Sequence, residues 1–288
     1  MSDALPADRL AERLAAVLGA RPTALTPLSG GCVARVYRAD LPGGAAVAVK
    51  TGGGTDLTVE AAMLRYLAAH TALPVPAVRH AEADLLVMDH IAAGDPLDDA
   101  AQAHAADLLA ALHGITAPEF GFAQDTLIGP LRQPNRTSAG WRAFFRDRRL
   151  LHMADEAGAA GQLPAATRSR IDDLAGKLDR WIDEPPAPAL IHGDMWGGNI
   201  LCRAGRVAGF IDPAIYYADP EIELAFATLF GTFGRAFFDR YGAHRPLAPG
   251  FFEERRDLYN LYPLLVHLRL FGGAYLGDVE RVLARFGC

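Results

Sequence analysis

The apolar positions near the start of the chain, Leu10, Leu14, Val17 and Leu18, fall on one face at helical spacing and predict an amphipathic helix. After it the period shortens. Runs from Ala24 to Leu28, Val33 to Ala39 and Ala45 to Lys50 read as short strands, separated by the turn-forming stretches Ser29-Gly30-Gly31 and Leu41-Pro42-Gly43-Gly44. A helix is predicted from about Leu57 to Ala69, broken by Pro74 and Pro76, and Leu85-Leu86-Val87-Met88 reads as a short buried strand. Beyond the loop Ala92-Ala93-Gly94-Asp95-Pro96 the pattern turns helical. Ala105, Leu108, Leu109 and Leu112 mark one helix, and Trp141, Phe144, Phe145 and Leu150 lie on a second, from Ala139 to about Met153. Ile171, Leu174, Leu178 and Trp181 mark a third, and Leu258, Leu261, Tyr262, Leu265 and Leu268 make a late stripe. Short β-type pieces surround His192 and run from Val207 to Ile211. This order predicts an α+β, bilobal fold: a small β-rich N-terminal lobe with an antiparallel sheet over 1–91, and a large, mainly α-helical C-terminal lobe over 92–288.

Composition narrows the class of function. At 288 residues the chain is near the size at which a single core stops growing, in keeping with two lobes. A formal charge of −6 leaves no basic bulk for nucleic acid, and no stretch approaches the roughly 20 apolar residues of a membrane span. The first residues lack the basic-then-apolar order of a signal peptide, and three scattered cysteines, Cys32, Cys202 and Cys288, lack metal-ligand spacing. A reduced, cytoplasmic compartment is expected, with no nucleic-acid or membrane partner. Of the 28 basic residues only Lys50 and Lys177 are lysines. Against so strong a bias toward arginine, Lys50, at the end of a strand, marks a place where a slim point charge serves and a planar fork does not.

The densest chemical signal is His192-Gly193-Asp194-Met195-Trp196-Gly197-Gly198-Asn199, followed 13 residues after Asn199 by Asp212 in Ile211-Asp212-Pro213. Phosphoryl transfer needs a carboxylate to accept the attacking hydroxyl's proton, plus an amide oxygen and a second carboxylate to hold magnesium against the phosphates. Asp194, Asn199 and Asp212 supply these from one compact stretch, while His192 is expected to order the loop by hydrogen bonding. Upstream, Ser29-Gly30-Gly31-Cys32-Val33-Ala34 reads either as a hairpin turn or as a glycine-rich loop covering phosphates with its amides. It is not a Walker A sequence. Lys50 on a strand and Glu60 on the following helix suit a phosphate-binding lysine held by a carboxylate.

These residues resemble the protein-kinase-like superfamily, which includes choline kinases and aminoglycoside phosphotransferases, and in detail the fructosamine/ketosamine-3-kinase family. The resemblance rests on the His192–Asn199 stretch with Trp196, on Asp212-Pro213-Ala214, Tyr216-Tyr217, Glu221-Ile222-Glu223-Leu224-Ala225 and Leu229-Phe230-Gly231, and on Gly30-Gly31-Cys32 and Val87-Met88-Asp89-His90. It spans the chain from about residue 24, with Met195 where the family has Leu and Asp89 where it has Glu. The resemblance implies a protein-kinase-like fold and an ATP- and Mg2+-dependent enzyme phosphorylating the carbon-3 hydroxyl of ketosamines, free or protein-bound, which initiates deglycation. Asp194 would be the base, Asn199 and Asp212 the metal ligands, and Lys50 with Glu60 the phosphate clamp. Gly30, Gly31 and Cys32 would cover the nucleotide, and Met88, Asp89 and Ile91 would line its adenine.

Other residues admit two readings. Trp196 forms a wall of the sugar site or packs under its loop. Asp219-Pro220-Glu221 is a helix start, or Glu221 or Glu223 faces a substrate's cationic amine. Cys32 is an inert small residue or a redox switch able to link two chains of an otherwise monomeric protein. The run from Phe226 to Phe238 is expected in the core, and His113 and His267 as structural histidines. Two further functions stay open: a phosphotransferase for aminoglycosides or other small molecules, and a non-catalytic nucleotide-binding regulator.

Overall fold

The computed structural model describes residues 6–28, 34–52 and 54–288, so Gly30, Gly31 and Cys32 lie outside the described residues. In chain order the elements are α1 (Ala7–Leu18), β1 (Ala24–Leu28), β2 (Arg35–Asp40), β3 (Ala46–Thr51), α2 (Leu57–His70), β4 (Val78–Glu82), β5 (Leu85–Asp89) and α3 (Asp99–Leu112). Next come β6 (Thr126–Ile128), β7 (Leu131–Gln133), α4 (Trp141–Phe144), α5 (Leu151–Ala159), α6 (Ala165–Ala175), β8 (Ala189–Ile191), β9 (Ile200–Arg203), β10 (Arg206–Phe210) and β11 (Tyr216–Ala218). The last helices are α7 (Glu221–Leu229), α8 (Arg235–His244), α9 (Arg256–Phe271) and α10 (Leu276–Arg285). No helix among the described residues is long and apolar enough to cross a membrane.

The chain divides into two compact units, residues up to 101 with 198–213, and 102–197 with 214–288. The first is built on a five-stranded antiparallel sheet in the order β1-β2-β3-β5-β4. Strand alternation decides which helix each residue meets. Val47, Val49, Leu85 and Val87 pack with Leu10 and Leu14 of α1, as the N-terminal stripe predicts. Ala48, Leu86 and Met88 pack instead with Leu57, Ala61 and Leu64 of α2. Lys50 has the parity of Ala48, so it points to the side of the sheet that α2 covers. The start of α2 is set by Asp56, whose carboxylate accepts the Thr58 N–H at 3.0 Å.

The sequence divides the chain after residue 91, but the β9–β10 hairpin belongs with the first unit. Gly94 and Asp95 donate their N–H groups to the Cys202 carbonyl at 3.2 and 3.3 Å, and Phe210 donates to the Pro74 carbonyl at 2.8 Å. Gly209 lies against Ile91, and a β-carbon on it would come within 2.3 Å of the Ile91 side chain. The first unit thus retrieves a stretch more than 100 residues distant through backbone bonds that side-chain periodicity does not register.

In the second unit β8 pairs with β11 and β6 with β7, and the remainder is helical. Between α4 and α5 the helix widens into a π segment, Phe145–Leu150. The extra residue per turn brings the adjacent pairs Phe144/Phe145 and Arg149/Leu150 all into the core, at 0–1% exposure. Two expectations are corrected here. The stripe from Ile171 to Trp181 is not one helix: α6 ends at Ala175, and a single 3-10 turn, Leu178–Arg180, follows. In the run from Phe226 to Phe238, Phe226, Phe233 and Phe237 are buried, but Phe230, just past the end of α7, is 43% exposed.

Candidate active site

Lys50, Glu60 and Asp212 come together in the first unit. The Lys50 ammonium donates to Glu60 Oε1 at 2.7 Å and to Asp212 Oδ1. Burial alone would lower the pKa of this lysine, but the charges of Glu60 and Asp212 outweigh it and lift the pKa above its ordinary value. Lys50 is therefore a permanent cation near neutral pH. Asp212 differs from its partners in two ways. Its side chain is 35% exposed, against 8% for Lys50 and 14% for Glu60. Its backbone sits at φ 55°, a left-handed conformation that aspartate adopts more readily than most residues but still at some cost. The preceding N–H, that of Ile211, donates to the Asn199 carbonyl at 3.1 Å. Asn199, closing a 3-10 turn, is thereby tied to the residue next to Asp212 within the same unit. Chemically this is a buried ammonium between two carboxylates, with an amide one residue removed and one carboxylate reaching solvent.

Asp194 belongs to the second unit. Its N–H faces His192 Nδ1 at 3.4 Å and its carbonyl accepts the Trp196 N–H at 3.2 Å, a tight turn that agrees with an ordering role for the buried His192. Met195, within the same loop, is fully buried. Gly193 has φ 86°, and a β-carbon there would lie 2.1 Å from the Ala214 carbonyl oxygen, so no other residue fits. On the same edge the Ala214 N–H donates to the His192 carbonyl at 2.7 Å. Trp196 is half-buried, its ring 6.5 Å from Phe230 in an edge contact.

The acidic pair on α7 has protein partners. Glu221 accepts from Arg255 Nε and Nη2, at 2.6 and 2.9 Å. Glu223 accepts the Gly193 N–H at 2.6 Å and lies 2.8 Å from His113 Nε2, whose Nδ1 meets the Tyr241 hydroxyl at 2.8 Å. Both carboxylates are thus paired within the protein, and Asp219 accepts the Glu221 N–H at 2.9 Å, the bond of a helix start. Burial would raise the Glu223 pKa, but the hydrogen bonds from His113 and from the Gly193 amide hold it below the usual carboxylate range. His113 is structural, as expected, but the role of its partner was invisible in the sequence. Met88 turns its side chain into the α2 core. The N–H groups of Asp89 and His90 donate to the carbonyls of Ala77 and Ala46.

Arg149, which with Trp141 and Phe144-Phe145 is also part of the family resemblance, lies in the core of the second unit. Arg149 is fully buried, and it forms no salt bridge among the described residues. Its guanidinium stacks 3.8 Å from the Tyr216 ring centre and 4.7 Å from that of Phe144, and donates to the Pro134 carbonyl at 2.8 Å and to Asn135 Oδ1 at 2.6 Å.

The antiparallel sheet with its Lys–Glu pair, and the helical unit after it, define the protein-kinase-like class of fold. The chain matches an aminoglycoside phosphotransferase solved in ternary complex with AMP-PNP and hygromycin B at a TM-score of 0.67 and 19% identity, over 97% of this chain and 99% of that one. Within that class, the fructosamine kinase family profile matches residues 7–286, and the chain belongs to this family. A solved structure named "putative fructosamine-3-kinase", from Thermobifida fusca, is 30% identical with a TM-score of 0.86, covering 97% of this chain and 100% of that one. A Synechocystis protein named "Probable ketoamine kinase" is 38% identical over 179 residues, 61% of this chain and 58% of that protein, so the match spans less than two thirds of that relative.

Proposed function

We propose that this protein is a kinase that moves the terminal phosphoryl group of ATP to the carbon-3 hydroxyl of a ketosamine, initiating deglycation. The observation that carries the reading is the Lys50–Glu60–Asp212 cluster: a permanent cation fixed between carboxylates, one of which opens to solvent. Phosphoryl transfer depends mostly on positioning and charge, and a fixed ammonium supplies both to a polyphosphate. Asn199 and Asp212 offer an amide and a carboxylate oxygen, hard donors that suit magnesium, which takes one or two protein ligands and completes its shell with phosphate oxygens and water. They would hold the ion, which when bound neutralises phosphate charge.

Asp194 takes the proton of the attacking hydroxyl as general base. The turn through His192 and Trp196 gives it a fixed backbone from which to act. Lys50 orients the phosphates, and Glu60 keeps Lys50 extended. At the adenine end, the Asp89 carbonyl and the Ile91 backbone are assigned to the base. The family membership and the names of the relatives favour a ketosamine acceptor over an aminoglycoside.

The test is ADP release with magnesium and ATP, offering a ribulosamine, a fructosamine and kanamycin in parallel, with mass spectrometry of the product. Single phosphorylation of a ketosamine is expected. Turnover of kanamycin with every ketosamine inert overturns the substrate assignment, and ATP binding without turnover of any acceptor points to a regulator.

A further inference from the structure

We infer that Glu223 is a positioning residue for the catalytic loop, acting by its reach to the Gly193 amide rather than by its charge; the inference rests on the assignment of Asp194 as base. The Gly193–Asp194 peptide is gripped from two sides. Ala214 closes against Gly193 so tightly that no β-carbon fits, and Glu223 Oε1 accepts the Gly193 N–H at 2.6 Å. The second Glu223 oxygen is not idle. A carboxylate only accepts, so His113 presents its Nε2 proton to it, and in the neutral ring Nδ1 then accepts from the Tyr241 hydroxyl. Tyr241, His113 and Glu223, from three separate helical regions, thus form one buried line ending on the amide next to Asp194, with the His113 and Glu223 side chains at 0% exposure.

Such a line fixes distance. Each member has one rotamer-limited length, and the chain ends on a backbone group, so any change in length moves the Gly193–Asp194 peptide. A base displaced by about 1 Å loses up to about 100-fold in rate without affecting a nucleotide held elsewhere. A small cavity lined by Gly193, Glu223, Tyr216, Phe226 and Tyr262 adjoins the contact, so a shortened side chain enlarges a void instead of being replaced by packing.

Two conservative variants separate reach from charge. Glu223→Gln keeps the length and an oxygen for Gly193. Its amide group then faces His113, which accommodates it by moving the ring proton to Nδ1, where Tyr241 accepts. Glu223→Asp keeps the charge and is one methylene short. Both variants of the full chain are measured for kcat and for KM of ATP with the acceptor that wild type uses, and for amide hydrogen exchange over 192–195. Glu223→Asp is expected to lower kcat by about 10- to 100-fold, with KM for ATP within about twofold, and to speed exchange at Gly193 by more than about tenfold while the rest of the unit keeps its protection. Glu223→Gln is expected to stay within about threefold in kcat and to retain the Gly193 protection.

The inference is overturned if Glu223→Asp keeps its kcat, if Glu223→Gln is the more damaged, or if exchange rises throughout the unit. The exchange comparison needs no substrate. A wild type inert toward every acceptor therefore counts against the proposed function and leaves the anchor to be decided by Gly193 alone.

Discussion

The buried Lys50–Glu60–Asp212 cluster of the first unit and the buried His113–Glu223 pair of the second differ in how they end. In the first unit Lys50 and Glu60 are enclosed, but the third member, Asp212, has a side chain 35% exposed on a left-handed backbone. In the second, His113 and Glu223 are wholly enclosed and finish on a backbone amide. Arg149, close by in sequence to neither, is enclosed by rings and carbonyls. Desolvating charge costs several kcal/mol per ion unless partners are well placed. The closed cluster recovers that cost inside the protein. The open one recovers it only in part and keeps an oxygen for something that arrives. A buried charge is thus a sign of chemistry where the cluster ends in solvent, and of scaffolding where it ends on the chain.

The sharpest way to break this contrast is to compare the carboxylate of the open cluster with the one beside the closed cluster. Asp194→Asn removes a proton acceptor and keeps the shape, so turnover should fall by about 10²–10⁴ while MgATP binding, followed by calorimetry, stays close to wild type. Asp212→Asn takes a charge from the cation-facing oxygen, so magnesium and nucleotide should weaken together with turnover. If Asp194→Asn loses nucleotide and Asp212→Asn keeps it, the two roles are exchanged.

The closed region should answer to stability rather than rate. Arg149→Ala leaves the Pro134 carbonyl and Asn135 without their donor and opens a void among Tyr216, Phe144 and Tyr262, which together should cost about 3–4 kcal/mol in urea unfolding. Arg149→Met, similar in length, should recover part of it. An unchanged urea midpoint for the alanine variant would mean that the enclosure carries no stability.

In the open region the opposite holds. Lys50→Arg keeps the charge but sets a planar fork where a point charge lies between Glu60 and Asp212. Turnover should fall about 100-fold with little change in unfolding temperature. Near-wild-type turnover would remove the inference drawn from the scarcity of lysine.

What was legible in the sequence follows the same division. Lys50 stood out because the chain otherwise avoids lysine, and strand parity alone puts it on the α2 side of the sheet with Glu60. The Asp194–Asn199–Asp212 spacing was legible because it is local. Glu223 was not. A carboxylate in the first turn of a helix looks the same whether it faces a substrate, complements the helix dipole or reaches an amide 30 residues upstream. Its other partner, His113, lies 110 residues away. The π segment was equally hidden, since the apolar spacing of Trp141, Phe144, Phe145 and Leu150 fits an ordinary helix and gives no sign of the extra residue that buries Arg149. The β9–β10 hairpin went to the wrong side of the division because its attachment is made of backbone hydrogen bonds.

The mildest test concerns a carboxylate in the closed region that forms no salt bridge among the described residues. Asp219 is buried and accepts the Tyr259 hydroxyl at 2.6 Å and the Glu221 N–H at 2.9 Å, while Arg255 bonds Glu221. Burial first and the Glu221 charge second raise its pKa to about 6, against the opposing pull of Tyr259, the amide and Arg255. A folded-state pKa above the unfolded one means that the native protein holds this proton more tightly. Its contribution to stability is therefore complete below about pH 4 and is lost as pH rises through about 6. Asp219→Asn has no such proton to lose. Other carboxylates titrate alike in both proteins and cancel in the difference. The stability of the variant relative to wild type, from urea unfolding, should therefore rise by on the order of 1–3 kcal/mol between pH 4 and pH 7.5. A difference that stays flat across that window, or runs the other way, would show that Tyr259 and the amide satisfy the ionised carboxylate fully. The closed region would then hold a lone anion as comfortably as the open one holds its lysine.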